Sequence, residues 1–294
     1  MKAVLRRYSS AGVALVVAGL IVATGAAPAA AGGGTTTCSG TFDSPGTLVG
    51  TVSGNVTVHG ACVVDAGPAI VTGNLKVSPG STLVAAFGGH HSSLTVRGNL
   101  HVQHGAAAVM GCNPESSPCA DDNPDHPALT SSDSVGGNFI ASSTLGVVVH
   151  NTTIGGNFDQ HGGGGGFTCD HSPGVFALLE SPVFSALEDS SVGGNLTVSN
   201  VSSCWLGTAR VHIHGNASYV NNQLADPDAI EIVLNTIHGN LSCHGNSMTW
   251  DSGDLSDALF PRVPQPNTVF GHRSGQCVLS SPMTEGGPLG PGAF

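Results

Sequence analysis

The sequence predicts an all-β fold: a right-handed parallel β-helix, or β-solenoid, of about ten coils with two loop insertions. Three observations lead there. One short motif recurs eight times along the 294 residues at a spacing near 20 or twice that value. Around it, apolar and polar residues alternate with period two and are rich in Val and Ile, the pattern of half-buried strands. After the first thirty residues no comparable stretch carries a 3.6-residue apolar stripe.

The motif is a β-branched residue, any residue, Gly, Asn, then an apolar residue. Its asparagines are Asn55, Asn74, Asn99, Asn138, Asn157, Asn195, Asn216 and Asn240, spaced 19, 25, 39, 19, 38, 21 and 24 residues apart. Apolar residues usually return three positions after the Asn (Val58, Val77, Val102, Val198, Tyr219, Cys243). Such short strands cannot bury an apolar face alone, so successive coils must stack at about 4.8 Å and share one core. Right-handed winding follows from the crossover rule for parallel strands. The gaps of 39 and 38 are read as double periods, each hiding a degenerate copy. Gly before Asn suits a corner that needs positive φ, and stacked Asn amides can bond along the rod. The eight Asn are therefore read as a structural ladder, without a sugar- or metal-binding role.

Order along the chain gives the domains. Lys2, Arg6 and Arg7 precede an apolar run from Ala11 to about Ala23, and Ala29–Ala31 follows. Basic, apolar, then small is the order of a secretory signal peptide, here residues 1–31, and the run is short for a membrane anchor. Cys38 follows three threonines, not a lipid-attachment sequence, and the end at Phe294 has no hydrophobic tail. Residues 32–250 are expected to form the β-helix, with insertions at 103–134 and 160–190. A cap and a Pro/Gly-rich tail follow at 251–294. The mature chain is expected to be secreted, extracellular, without a membrane span, and monomeric, because terminal disulfides and the tail cap its strand edges.

All eight cysteines, Cys38, Cys62, Cys112, Cys119, Cys169, Cys204, Cys243 and Cys277, lie in the exported part. An even count in an oxidising compartment reads as disulfides, and no C-x2-C pair supports zinc. Eight cysteines allow about 105 connectivities. The simplest is sequential pairing, which closes local loops: 38–62, 112–119, 169–204 and 243–277.

Charge and composition exclude some functions. Charged residues make up 9% of the chain and the formal net charge is −11. Lys76, Arg97, Arg210, Arg262 and Arg273 are the lysines and arginines after Arg7, too few to neutralise phosphates, so no nucleic-acid partner is expected. Abundant Val, Leu and Ile argue against wholesale disorder.

The coils resemble a family of uncharacterised secreted actinobacterial Gly-Asn-repeat proteins. The likeness rests on Val-x-Gly-Asn-Leu-x-Val coils, Cys38-Ser-Gly-Thr41, Asn240-Leu-Ser-Cys243-His-Gly-Asn246, Asn267-Thr-Val-Phe-Gly271 and Gly275-Gln276-Cys277. It covers about residues 38–280 and implies a β-solenoid with cysteines near both ends and no known activity. More distantly the pattern is similar to bactofilins, the polymer-forming β-helices, which are cytoplasmic and lack these cysteines.

Catalysis has to be tested because β-helices also carry polysaccharide lyases and hydrolases. Glycoside hydrolysis needs facing carboxylates. The outward column two residues before each Asn runs from Ser53 and Thr72 through Arg97 and three glycines to His214 and His238. The column two residues after reads Thr57, Lys76, His101, Ile140, Asp159, Thr197, Ser218 and Ser242. Asp159 is the one carboxylate in them, so no catalytic residue is assigned. His214 and His238 fall on consecutive coils and are weak metal candidates without an evident third ligand. Solvated turn residues are the preferred reading, for them as for Lys76 and His101. His59, His161 and His244 all follow an Asn by four but stand on separate coils. Asp121, Asp122, Asp125 and Asp133, and later Asp251, Asp254 and Asp257, offer the oxygens that Ca²⁺ takes, but neither segment matches a defined loop motif. No cofactor is expected, with Ca²⁺ left open. Gly162–Gly166 reads as a flexible link, and Val175–Leu187 as either a degenerate coil or a short helix packed on the rod. The Asn-x-Ser/Thr triplets, mostly repeat asparagines, are not read as glycosylation sites.

The reading is a secreted non-enzymatic solenoid whose extracellular partner meets the insertions. A carbohydrate-active or carbohydrate-binding helix with a polysaccharide partner is the alternative, and a self-assembling polymer the third possibility. Two Trp and two Tyr are few for a sugar-stacking platform.

Overall fold

The computed structural model describes residues 34–122, 128–226, 230–247, 249–251 and 267–278. The proposed signal peptide, Asp125, Asp254, Asp257 and most of the C-terminal tail lie outside them. The described chain is mostly strand, and all strand ladders between its named strands are parallel, as an all-β parallel solenoid requires.

Three walls recur in each coil. The first wall begins at or after the repeat Asn (Asn55–Val63, Leu75–Val77, Leu100–Val102, Phe139–Thr144, Phe158–Gly163, Leu196–Ser199, Ala217–Val220, Leu241–His244). The second follows around a corner (Thr82–Ala85, Ala107–Met110, Gly146–His150, Phe184–Glu188, Trp205–Ala209, Ile230–Val233). The third, nine strands deep, carries the β-branched residue that precedes each Gly-Asn. Period-two alternation turns Val71, Val96, Val135, Ile154, Val192, Ile213 and Ile237 inward, where all are buried. They meet Leu75, Leu100, Phe139, Phe158, Leu196 and Leu241 from the first wall in one continuous core. Phe139 and Phe158 stack there with ring centroids 4.9 Å apart.

The reading of two hidden coils is corrected. Phe139 pairs directly with Leu100, and Leu196 with Phe158, so no coil lies between them. The extra residues leave the rod sideways. Within 103–134, Ala107–Met110 and Asp133–Val135 belong to the walls, and within 160–190 so do the end of Phe158–Gly163 and all of Phe184–Glu188. The excursions are thus 111–132 and 164–183. Val175–Leu187 is not a degenerate coil: it holds a short helix, Val175–Leu178, and then enters Phe184–Glu188, the second-wall strand of the coil that begins with Phe158–Gly163.

Glycine before Asn is also explained differently. Apart from Gly54 (φ +88°), the motif glycines do not have positive φ. At Gly73, Gly98, Gly215 and Gly239 an added Cβ would collide with the Oδ1 of the preceding coil's Asn. Close approach excludes a side chain there. Positive φ appears instead five residues after the Asn, at Asn200 (55°), Asn221 (55°) and Gly245 (66°). Short polar side chains and glycine tolerate that region best.

Four disulfides close the structure: Cys38–Cys62, Cys112–Cys119, Cys169–Cys204 and Cys243–Cys277. These are the sequential pairs. The first and last brace the two ends of the rod, and the middle two hold the excursions.

Candidate functional site

The repeat asparagines stand in a single file at the corner between the third and first walls. From Asn74 onward, each Asn backbone N–H donates to the Oδ1 of the Asn one coil earlier, always at 2.8 Å. His272 N–H continues the series onto Asn240 at 2.8 Å. The side-chain oxygen thereby supplies the acceptor that the backbone lacks where the strand breaks at a corner. Two shorter files support the last coils at other corners: Asn222, Asn246 and Gln276, then Asn235 and Asn267.

Outward columns fall where the two-residue alternation places them. Lys76, His101, Ile140, Asp159, Thr197, Ser218 and Ser242 pair in that order along the first wall. His101, Gln103, His104, Ile140 and Ser142 line an open groove of ≈ 300 Å³. His214 and His238 lie parallel, with ring centroids 5.4 Å apart, and Phe270 stacks on His238 at 5.0 Å. Rings stacked face to face point their nitrogens side by side instead of at a common centre. Of the described acidic residues, Asp121 accepts the N–H groups of Gly88 and Gly89 at 2.8 and 2.6 Å, holding the first excursion to the rod. Asp133 is buried and accepts from Leu94 N–H at 2.7 Å and Gly111 N–H at 2.9 Å. Burial nevertheless pushes its carboxyl up to about 7, against these two N–H groups and the Ser131 hydroxyl.

The second wall differs from the others because its outer face is covered. Both excursions fold over it and form a second apolar cluster containing Val109, Val148, Phe176, Val183, Phe184 and Trp205. Phe176 meets Phe184 edge-on at 5.5 Å, and Phe184 meets Trp205 at 6.0 Å. The indole occupies the space over Gly207, where a Cβ would collide with it.

At the margin of this cluster lies a polar constellation that the sequence reading missed. His150 and Glu188 face each other on adjacent coils and are 4% and 0% exposed. Arg210 Nη2 donates to Glu188 Oε2 at 2.7 Å and to Asp189 Oδ2 at 3.1 Å, while its Nε donates to Asp189 Oδ1 at 2.6 Å. Ser116 Oγ and Asn113 Nδ2 of the first excursion also donate to Asp189 Oδ2. Asp189 therefore links the disulfide-closed loop to the rod, and these donors, led by Arg210, outweigh burial to hold its carboxyl below the usual range. Burial has the opposite effect on Glu188, raising it to about 8, and lowers His150 to about 4. One signal could have revealed the set. His150 and Glu188 each stand seven residues before a repeat Asn, Asn157 and Asn195, so the repeat places them in one column.

Among the described residues, two groups of three bring His, Cys, Asp or Glu ligand atoms within 4.8 Å of one another. One is His150, Glu188 and Asp189. The other joins Asp226 to Cys169 and Cys204, whose sulfurs are consumed in a disulfide. No described helix is long and apolar enough to cross a membrane. No family model matches the chain, and neither the curated proteins nor the solved structures contain a match.

Proposed function

We propose that the protein is a secreted, non-enzymatic β-solenoid with an extracellular structural or surface-interaction role, its partner meeting the two excursions. The observation that carries this reading is the covered outer face of the second wall. Two excursions, each holding a disulfide cysteine pair or partner, pack a second core onto an already complete rod. The rod's own core does not require them, and they carry exposed residues such as Phe167 (63%). That is the construction of a rigid support presenting loops. The oxidised cysteines and the basic–apolar–small N-terminal order support export with cleavage after Ala31. The parallel crossovers support right-handed winding, and the rungs from Thr35–Gly40 to Arg273–Gly275 support about ten coils. Likeness to secreted actinobacterial Gly-Asn-repeat proteins and a monomeric state belong to the same reading.

Polysaccharide binding is the second reading, favoured by the outward column of the third wall. Thr51, Thr95, Ser134, Thr153, Ser191, Thr236 and Thr268 place uncharged hydroxyls on successive rungs, interrupted at Ile70 and His212. Incubating purified protein with acidic and neutral polysaccharides, with and without Ca²⁺, tests both. Unchanged polymer length is expected. Retention on an insoluble neutral polysaccharide would establish the second reading, and depolymerisation would overturn the non-enzymatic one.

A further inference from the structure

We propose that His150, Glu188 and Asp189 form a binding site for one divalent first-row transition-metal ion of the Zn²⁺ type. Two side-chain atoms in this cluster lack hydrogen-bond partners. His150 Nδ1 and Glu188 Oε1 are both buried and unpaired. Leaving a buried polar atom without a partner is costly, so native proteins seldom retain two in one cluster without a use.

These two side chains cannot satisfy each other directly. His150 Nδ1 is 3.7 Å from Glu188 Oε2, beyond hydrogen-bond reach. Yet with bonds of about 2.0–2.2 Å to a tetrahedral ion, neighbouring ligand atoms lie roughly 3.4 Å apart. The Nδ1–Oε2 separation is close to that value, and one ligand atom from each of His150, Glu188 and Asp189 lies within 4.8 Å of the others, so Oε2 fits as a ligand once Arg210 moves off it.

Charge points the same way. When both carboxyls are ionised, Glu188 and Asp189 carry two negative charges against the one on Arg210. Arg210 occupies Glu188 Oε2 and leaves Oε1 unserved. Its side chain is 33% exposed, so it can swing outward and release an Asp189 oxygen to an arriving ion. Ser116 and Asn113 would remain as the hydrogen bonds that orient Asp189. Neutral imidazole and ionised carboxylate are the ligating forms, so binding of the ion would release any protons these side chains carry. An imidazole with two carboxylates suits Zn²⁺ or Co²⁺. Ca²⁺ prefers six to eight oxygens.

The test uses the full chain with its four disulfides formed, stripped with a chelator and dialysed against Zn²⁺. One equivalent should remain bound, as counted by mass spectrometry of the metal. Millimolar Ca²⁺ should not displace it. His150→Ala and Glu188→Gln should each weaken binding at least tenfold, whereas His214→Ala should leave it unchanged. Should a buried variant fail to fold, the more exposed Asp189→Asn, at which a smaller loss is expected, and the visible Co²⁺ spectrum of the unaltered chain provide independent readings. That spectrum should show the intense bands of a low-coordinate nitrogen–oxygen site. Absence of stoichiometric Zn²⁺, binding lost on His214→Ala, or a spectrum of hydrated Co²⁺ would overturn the proposal.

Discussion

The two apolar cores of this molecule are built by different rules. The inner one is periodic: each coil sends a β-branched residue from the third wall and an apolar residue from the first to the same height. The outer one, over the second wall, has no period. Phe176 and Val183 come from one excursion, Cys112 and Cys119 from the other, and Trp205 from the wall itself. The contrast teaches that a repeat specifies the inside of a solenoid through its own spacing, whereas the dressed face is specified by insertions that interrupt it.

Truncation should separate the two most strongly. Phe139→Ala removes a fully buried ring from the inner stack and should cost about 3–5 kcal/mol in denaturant unfolding. Phe176→Ala should cost a similar amount, but hydrogen exchange should show the loosening confined to 164–183 and the second wall beneath it. Protection lost throughout the rod in Phe176→Ala would erase the distinction between the cores.

Disulfides sharpen it further. Replacing Cys169 and Cys204 by Ser opens a loop of 35 residues and should cost ~4 kcal/mol on loop-entropy grounds. Replacing Cys112 and Cys119 opens only 7 and should cost ~2.5 kcal/mol. Equal shifts in unfolding midpoint would show that strain or contacts, instead of loop length, set the contribution of each bridge.

A smaller effect is expected at the ladder. Asn195→Ala strips the acceptor from Asn216 N–H at an exposed corner and should cost about 0.5–1.5 kcal/mol, measured by thermal unfolding. Last comes a dependence on pH. The folded pKa of Asp133, about 7, lies above its ordinary value of 3.8. The stability linked to its protonation is fully present below about pH 4 and is lost as pH rises through about 7. Asp133→Asn should remove that portion of the pH slope while lowering stability at every pH, because Asn offers one carbonyl to the two N–H groups of Leu94 and Gly111.

Much of the inner architecture was legible because Val71, Leu75 and Asn74 repeat what Val96, Leu100 and Asn99 do one coil later. Strand identity and parallel stacking follow from local spacing, whereas sequential pairing was only the simplest of the possible disulfide connectivities and the structure has it. The hidden coils were misread because a gap of 39 residues looks the same whether it contains a coil or an excursion; only the pairing of Leu100 with Phe139 tells them apart. The role of glycine was misassigned because sequence cannot distinguish a residue that needs positive φ from one that must avoid a neighbour's Oδ1. His150 and Glu188 were overlooked because outward positions are ordinarily wet. Their burial depends on how far 111–132 and 164–183 fold back, which no period encodes.

Nuclear magnetic resonance of isotope-labelled protein tests the central account most directly, through contacts of the repeat asparagine amide protons. Asn138 N–H should show its contact and through-bond coupling to the Asn99 side chain, and Asn195 N–H to that of Asn157. Partners for those two protons inside 111–132 or 164–183 would contradict a rod whose coils stack without interruption beneath their excursions.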